Sequence, residues 1–241
     1  MIFLHIIGHL IADFYLQSSK MAENKKTSFK MLLAHSVVYL AVFAIVDFVF
    51  LQAITAMWTT LIIAVSHFVI DFARTKIDGN CKSNKSLFII FLVDQALHLT
   101  VIIVTYCLFG LLTKGNYVYE YCEANSNFIQ ILAYCLLFVV LLNPTSVFIK
   151  KMFAFLFKED PNNEPGNNAG NMIGKLERTI TAILLLCNQF AAIGLVITAK
   201  SIARFKQLQE QDFAERYLIG TLLSLTVSLT LTIVLKAIFS L

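Results

Sequence analysis

Charge is scarce in this 241-residue chain. Asp, Glu, Lys and Arg together make up 14% of it, against about 25% in a soluble domain. With 58% hydrophobic residues and a mean hydropathy of +0.76, a soluble multi-domain protein is excluded and a polytopic membrane protein is implied. Alternation of apolar and polar residues is missing too. The long Leu, Ile, Val and Phe runs therefore select helices over a closed β-barrel. The five cysteines (Cys81, Cys107, Cys122, Cys135, Cys187) form no C-x-x-C motif, so neither a disulfide framework nor a cysteine metal site is indicated. No basic run precedes the first apolar stretch; Lys20, Lys25 and Lys26 follow it instead. That order argues against a signal peptide and for a retained first span starting outside. No long-period repeat is visible, so the inverted-repeat plan of many transporters has no support. The net charge of +4 calls for no nucleic acid, because the lysines gather in short connections.

The apolar stretches predict an all-α membrane protein of about seven transmembrane helices, near residues 1–18, 31–51, 56–73, 86–112, 127–143, 172–199 and 217–239. Asn143-Pro144 is expected to close the fifth, since proline breaks the hydrogen-bond ladder. After it, 147–157 reads either as an interfacial helix or as an extension of the fifth span. The links 19–30 and 74–85 and the loop 144–171 are rich in lysine. The positive-inside rule places them in the cytoplasm, with the N-terminus out, the C-terminus in and the chain in the inner (cytoplasmic) membrane. Lys200, Arg204, Lys206 and Arg216 mildly violate that scheme. The organisation expected is a four-helix part over 1–113 and a three-helix part over 114–241 in one continuous membrane domain.

What the chain does contain is a cluster of ligating residues. All five histidines (His5, His9, His35, His67, His98) fall in the first hundred residues. Three lie four residues from an aspartate, as His9/Asp13, His67/Asp71 and Asp94/His98, a spacing that stacks side chains on one helix face. The remaining aspartates, Asp47 among them, read as lying in or beside connections. Counted from the lysine-rich ends, Asp13, His35, His67, Asp71 and Asp94 all lie within roughly 15 Å of the inner face. His9 sits near that depth, and His5 and His98 one turn deeper.

Ionisable groups in a bilayer are costly and mark function by default. Imidazole and carboxylate suit a divalent metal: zinc, manganese or iron. One or two ions held by His9, Asp13, His35, His67, Asp71, Asp94 and His98 would activate water and stabilise phosphoester displacement. Zinc or manganese is the expected metal, with Asp94 or Glu23 as the base. Asp13 or Asp71 can alternatively orient a ligating histidine from behind. The plainer reading of each residue is a helix–helix hydrogen bond, and a proton relay is a third. Gln17 continues the His9/Asp13 stripe. Glu23, Asn24 and Lys25 either roof the site or are simply solvated, and composition favours the latter. Glu177 and Arg178 either pair with each other or touch an anionic substrate. Lys200 and Arg204 are expected at the opposite face from them.

His9-Leu-Ile-Ala-Asp13-Phe-Tyr-Leu-Gln17, Met21-Ala-Glu-Asn-Lys25, His35 and His67-Phe-Val-Ile-Asp71 resemble the bacterial membrane family labelled domain of unknown function 3307. Ile173-Gly-Lys-Leu-Glu177-Arg178, Gln189-Phe-Ala-Ala-Ile-Gly194, Ala199-Lys-Ser-Ile-Ala-Arg-Phe205 and Tyr217-Leu-Ile-Gly-Thr-Leu-Leu-Ser224 are similar to stretches of its longer members. That resemblance implies a fold and no activity. A more distant likeness, through the H-x-x-x-D helices, is to membrane-bound metal-dependent hydrolases. The expected function is a metal-dependent hydrolase acting on a lipid-linked or amphipathic phosphoester. The alternatives are an ion or proton transporter using the same residues, and a membrane scaffold or signalling partner.

Overall fold

The computed structural model describes residues 1–25, 28–79, 81, 83–111, 114–157 and 168–239, without the side chains at 19, 20, 23 and 168. Ten α-helices follow in order: α1 Ile2–Phe14, α2 Ser19–Asn24, α3 Phe29–Phe50, α4 Ala53–Asp78, α5 Asn84–Leu108, α6 Tyr117–Glu123, α7 Phe128–Phe157, α8 Asn168–Leu186, α9 Phe190–Ala203 and α10 Gln211–Phe239. Five of them, α3, α4, α5, α7 and α10, are long and apolar enough to cross a membrane. The chain is thus a helical, multi-pass membrane protein. Seven full-length spans were expected. The first is instead a 13-residue helix, about 20 Å at helical rise against a core of about 30 Å. The sixth is broken in two.

The chain divides into two compact units, Met1–Leu136 and Leu137–Leu241. In the first, α1 packs on α3 and α5, α3 on α4, and α4 on α5, closing a four-helix ring. Each helix turns one stripe inward. On α3 that stripe is Leu32, His35, Tyr39, Phe43 and Asp47, a spacing of three then four that holds one face. The outer faces carry Leu33, Val37, Leu40, Ile45 and Phe48. Polar groups inside and aliphatic groups outside invert the arrangement of a soluble bundle, as lipid requires. At one end, Asn116 caps α6 by accepting from the backbone of Val118 and Tyr119, and its amide donates to the Val49 and Leu51 carbonyls. Gly115 has no alternative there, because a Cβ would lie 2.5 Å from the Tyr119 ring. Burial, then Glu123, push the Tyr119 hydroxyl up to about 12, so it remains a donor to that carboxylate.

The second unit corrects three expectations. Pro144 does not close the fifth span: α7 runs through it to Phe157, the extension weighed above. Proline withholds the donor that the Val140 carbonyl needs. Thr145 Oγ1 donates to that carbonyl at 2.8 Å, Arg178 Nε to Leu141 O at 2.6 Å, and Arg178 Nη2 to Leu142 O at 3.2 Å. The opened ladder is thereby closed by side chains, the condition for a proline inside a membrane helix. Next, the sixth segment is no continuous helix. It breaks at 187–189, where Asn188 takes a left-handed φ of 60°, a region Asn tolerates better than most residues. Finally, Lys200 does not face away from Glu177. Its ammonium lies 2.7 Å from the Glu177 carboxylate, so α8 and α9 form a hairpin in which the end of α9 meets the middle of α8. Lys236 near the end of α10 donates to Asn188 Oδ1 and Leu185 O at the hairpin tip. At the other end Arg216 lies over the Phe157 ring and Gly220 meets the Phe153 ring.

Arg178→Leu removes the donors to Leu141 and Leu142, and each orphaned buried group costs about 1–3 kcal/mol. Thermal unfolding in detergent should show that loss. Pro144→Ala returns a backbone donor to the Val140 carbonyl that Thr145 Oγ1 serves, so Thr145→Val should cost less in the Pro144→Ala background than in the parent.

Candidate metal centre

The four-helix ring brings the sequence-predicted ligands together from all four helices. α1 supplies His9 and Asp13, α3 His35, α4 His67 and Asp71, and α5 Asp94 and His98, each of them buried. Two sets have one ligating atom per residue within 4.8 Å of the others: Asp13, His35 and His67, and His67, Asp71 and His98. His67 belongs to both. Its ring is stacked on Tyr39, with centroids 3.6 Å apart and planes 21° apart, and lies 4.5 Å from the His98 ring.

The Asp13 carboxylate is bonded between helices, not along its own. Asp13 Oδ1 accepts from His35 Nε2 and from His67 Nε2, both at 3.1 Å. A carboxylate only accepts, so each ring carries its proton on Nε2, and a neutral ring then holds its lone pair on Nδ1. His98 Nδ1 donates to the Asp94 backbone carbonyl at 2.8 Å, which leaves the lone pair on Nε2. His9 Nδ1 meets the Tyr39 hydroxyl at 3.2 Å. The remaining nitrogens, His9 Nε2, His35 Nδ1, His67 Nδ1 and His98 Nε2, have no hydrogen-bond partner, and neither do Asp71 Oδ1 and Asp94 Oδ1.

The other carboxylate oxygens are tethered from one side. Lys25 Nζ donates to Asp71 Oδ2 at 2.8 Å. Arg74 Nη1 donates to Asp94 Oδ2 at 2.6 Å, and Gln95 Nε2 adds a 3.0 Å bond to the same oxygen. Gln95 also reaches Asp13 Oδ2 at 3.4 Å. Gln17 sits at this rim: its amide donates to the Asp13 backbone carbonyl at 3.2 Å and accepts from Lys25 Nζ at 2.9 Å. Lys25 is therefore buried and engaged, not simply solvated. The Glu23 side chain lies outside the described residues. Glu177 and Arg178 do not pair with each other. In the second unit Glu177 binds Lys200, and Arg178 binds the α7 carbonyls and the Ser146 and Ser224 hydroxyls.

Asp47 corrects the sequence reading, for it stands inside α3 and is fully buried. Its Oδ1 accepts from His5 Nε2 at 2.8 Å, and its Oδ2 from the Thr59 and Thr60 hydroxyls at 2.9 and 2.8 Å. His5 Nδ1 meets Met1 O at 3.1 Å. Every polar atom of this group is satisfied, so it acts as a clasp between α1, α3 and α4. Between it and the histidine cluster lies an apolar layer built around Phe43, Ile63 and Ile102, with Phe43 stacked on both His5 and Tyr39. The four-residue spacing from His35 through Tyr39 and Phe43 to Asp47 was visible in the sequence and marks the stripe. Arg74 was legible only as a residue one turn beyond Asp71, and Gln95 carried no signal beyond adjacency to Asp94.

Residues 1–129 match the model of a family described as a protein of unknown function (DUF3307). This chain belongs to the DUF3307 family. The match contains the whole four-helix ring and every residue of the cluster. No curated protein and no solved structure matches the chain.

Asp47→Ala would leave His5, Thr59 and Thr60 buried without their acceptor. Breaking a buried charge pair costs about 3–5 kcal/mol, so thermal unfolding should fall clearly. Metal content of the folded fraction should equal that of the parent.

Proposed function

We propose that this DUF3307 protein is a membrane-embedded metalloprotein that hydrolyses a lipid-linked or amphipathic phosphoester. One observation carries the reading: six buried polar atoms, on six residues of the four ring helices, have no hydrogen-bond partner. Each such atom costs about 1–3 kcal/mol if nothing occupies it, and a bound divalent ion removes that cost. The imidazole and carboxylate donors suit zinc or manganese, as one or two ions. His9, Asp13, His35, His67, Asp71 and His98 would hold them. Asp13, accepting from two imidazoles, also fits the role of a carboxylate that orients ligating histidines. Asp94, with one oxygen held by Arg74 and the other free, serves as a further ligand or as the base; Glu23 is the second candidate base. Water activated by the ion would attack the phosphoester.

Passage of ions or protons is the second reading. The His5/Asp47 clasp favours it, because it extends polar groups along the bundle beyond the cluster. The Phe43 layer stands against it by sealing the two apart. Flux into liposomes without hydrolysis would select this reading.

The orientation follows from the charges of each unit. One end of the ring carries Lys25, Lys30, Arg74 and Lys76. In the second unit the open ends of the hairpin and the start of α10 gather Lys175, Lys200, Arg204, Lys206 and Arg216. The positive-inside rule sets each of these ends in the cytoplasm. With the N-terminus outside and the hairpin read as re-entering without crossing, the C-terminus lies outside, where the seven-span reading had it inside. The lysines and arginines of 200–216 cease to violate the rule. Reporter fusions at 206 and at the C-terminus should report inside and outside respectively.

The metal is tested by elemental analysis of protein purified without tag histidines. His67→Ala removes a member of both ligand sets and should reduce bound metal at least about tenfold, whereas His35→Ala touches one set only. Stoichiometric metal retained in folded His67→Ala protein would end the metal reading.

A further inference from the structure

The two tethered carboxylates share an unusual geometry. In Asp71, Oδ2 is held by the Lys25 ammonium at 2.8 Å while Oδ1 is buried and unpartnered. In Asp94, Oδ2 is held by the Arg74 guanidinium at 2.6 Å while Oδ1 is likewise unpartnered. Each carboxylate therefore keeps one buried oxygen unpartnered and gives the other to a cation. An ion bound on the free oxygens would stand across a single carboxylate from Lys25 and across another from Arg74. Arg74 keeps a second carboxylate, Asp78, at 3.9 Å. Beyond Asp71, the contacts of Lys25 include the neutral Gln17 amide.

An ammonium and a divalent ion sharing one carboxylate repel each other strongly where water is excluded. Lys25 is only 8% exposed, so solvent does little to screen that repulsion. A second anion placed between the two cations removes it. The anion best matched to a hard divalent ion and an ammonium together is a phosphate group, whose several oxygens bond both at once. Lys25 lies between α2 and α3, at the end of the ring where the basic residues gather, so the anion would enter from that rim.

We propose that Lys25 makes the metal centre a joint site for a divalent ion and a phosphate-class anion, each strengthening the binding of the other. This rests on the metal reading above and adds to it the recognition element for the substrate. Coupling between two ligands is reciprocal, so it can be read from either side.

The test uses the full chain in maltoside detergent, with manganese(II) binding followed by the electron paramagnetic resonance signal of the free ion. Inorganic phosphate and dihexanoyl phosphatidic acid are added in separate arms. Tightening of manganese binding by about tenfold in either arm is expected; the arm that responds tells free phosphate from a lipid headgroup. Lys25→Met should show no more than about twofold tightening of its manganese binding with either anion. Lys25→Arg should restore the coupling. Manganese binding by the parent that neither anion alters would overturn the proposal while leaving the metal reading intact, and this arm needs no variant to fold. Equal tightening in the parent and in Lys25→Met would overturn it as well. No manganese binding under any condition, with no zinc or manganese found by elemental analysis, would remove both readings together.

Discussion

The double acceptance at Asp13 Oδ1 is the interaction on which the first unit depends. One oxygen on α1 binds an imidazole from α3 and another from α4, both at 3.1 Å. α1 has 13 residues, too few for the bilayer to hold it by length alone. In lipid there is no hydrophobic drive between helices, so packing and interhelical hydrogen bonds must hold them. Asp13 on one turn and His5 with Asp47 two turns away give α1 two polar anchors in the ring. The same oxygen also fixes which nitrogen of His35 and of His67 carries the proton. Helix docking and the choice of imidazole tautomer are thus the result of one set of bonds.

The ring is layered along its length. A satisfied clasp (His5, Asp47, Thr59, Thr60) stands at one level, an apolar layer around Phe43 at the next, and the unsatisfied cluster beyond it. The contrast explains why histidines of similar burial differ in role. His5 has a partner for each nitrogen, whereas His9, His35, His67 and His98 each keep one atom free. Lys25 and Arg74 then hold the carboxylates from the basic rim. They fix the orientation of Asp71 and Asp94 and carry positive charge next to the centre.

The second unit solves a different problem with the same means. Pro144 opens the α7 ladder inside an apolar helix, and Thr145 and Arg178 close it again. Gly174 leaves the room for this, since a Cβ there would lie 3.3 Å from Arg178 Nη1. Arg178 is consequently a structural cation bound by carbonyls and hydroxyls, and its neighbour Glu177 is free to pair with Lys200 across the α8–α9 hairpin. That pairing holds the end of α9 against the middle of α8.

Composition determined that the chain is helical and crosses a membrane, because only helices satisfy the backbone of long unalternating apolar runs in lipid. Period-four spacing determined which faces of α1, α4 and α5 carry the His/Asp pairs, since a helix stacks residues four apart whatever it packs against. The tertiary structure alone decided the partners. Side chains four apart on one helix both point into the ring, so His67 reaches Asp13 of α1 and not Asp71 beside it. Asp47, Lys25, Arg74 and Gln95 were not legible as members of these networks, because their partners His5, Asp71, Asp94 and Asp13 lie 20 to 82 residues away in sequence. The fate of Pro144 and the break at Asn188 were hidden for the same reason. The donors that carry α7 through its proline include Arg178, and the contacts at the hairpin turn include Lys236, both of them residues that only folding brings near.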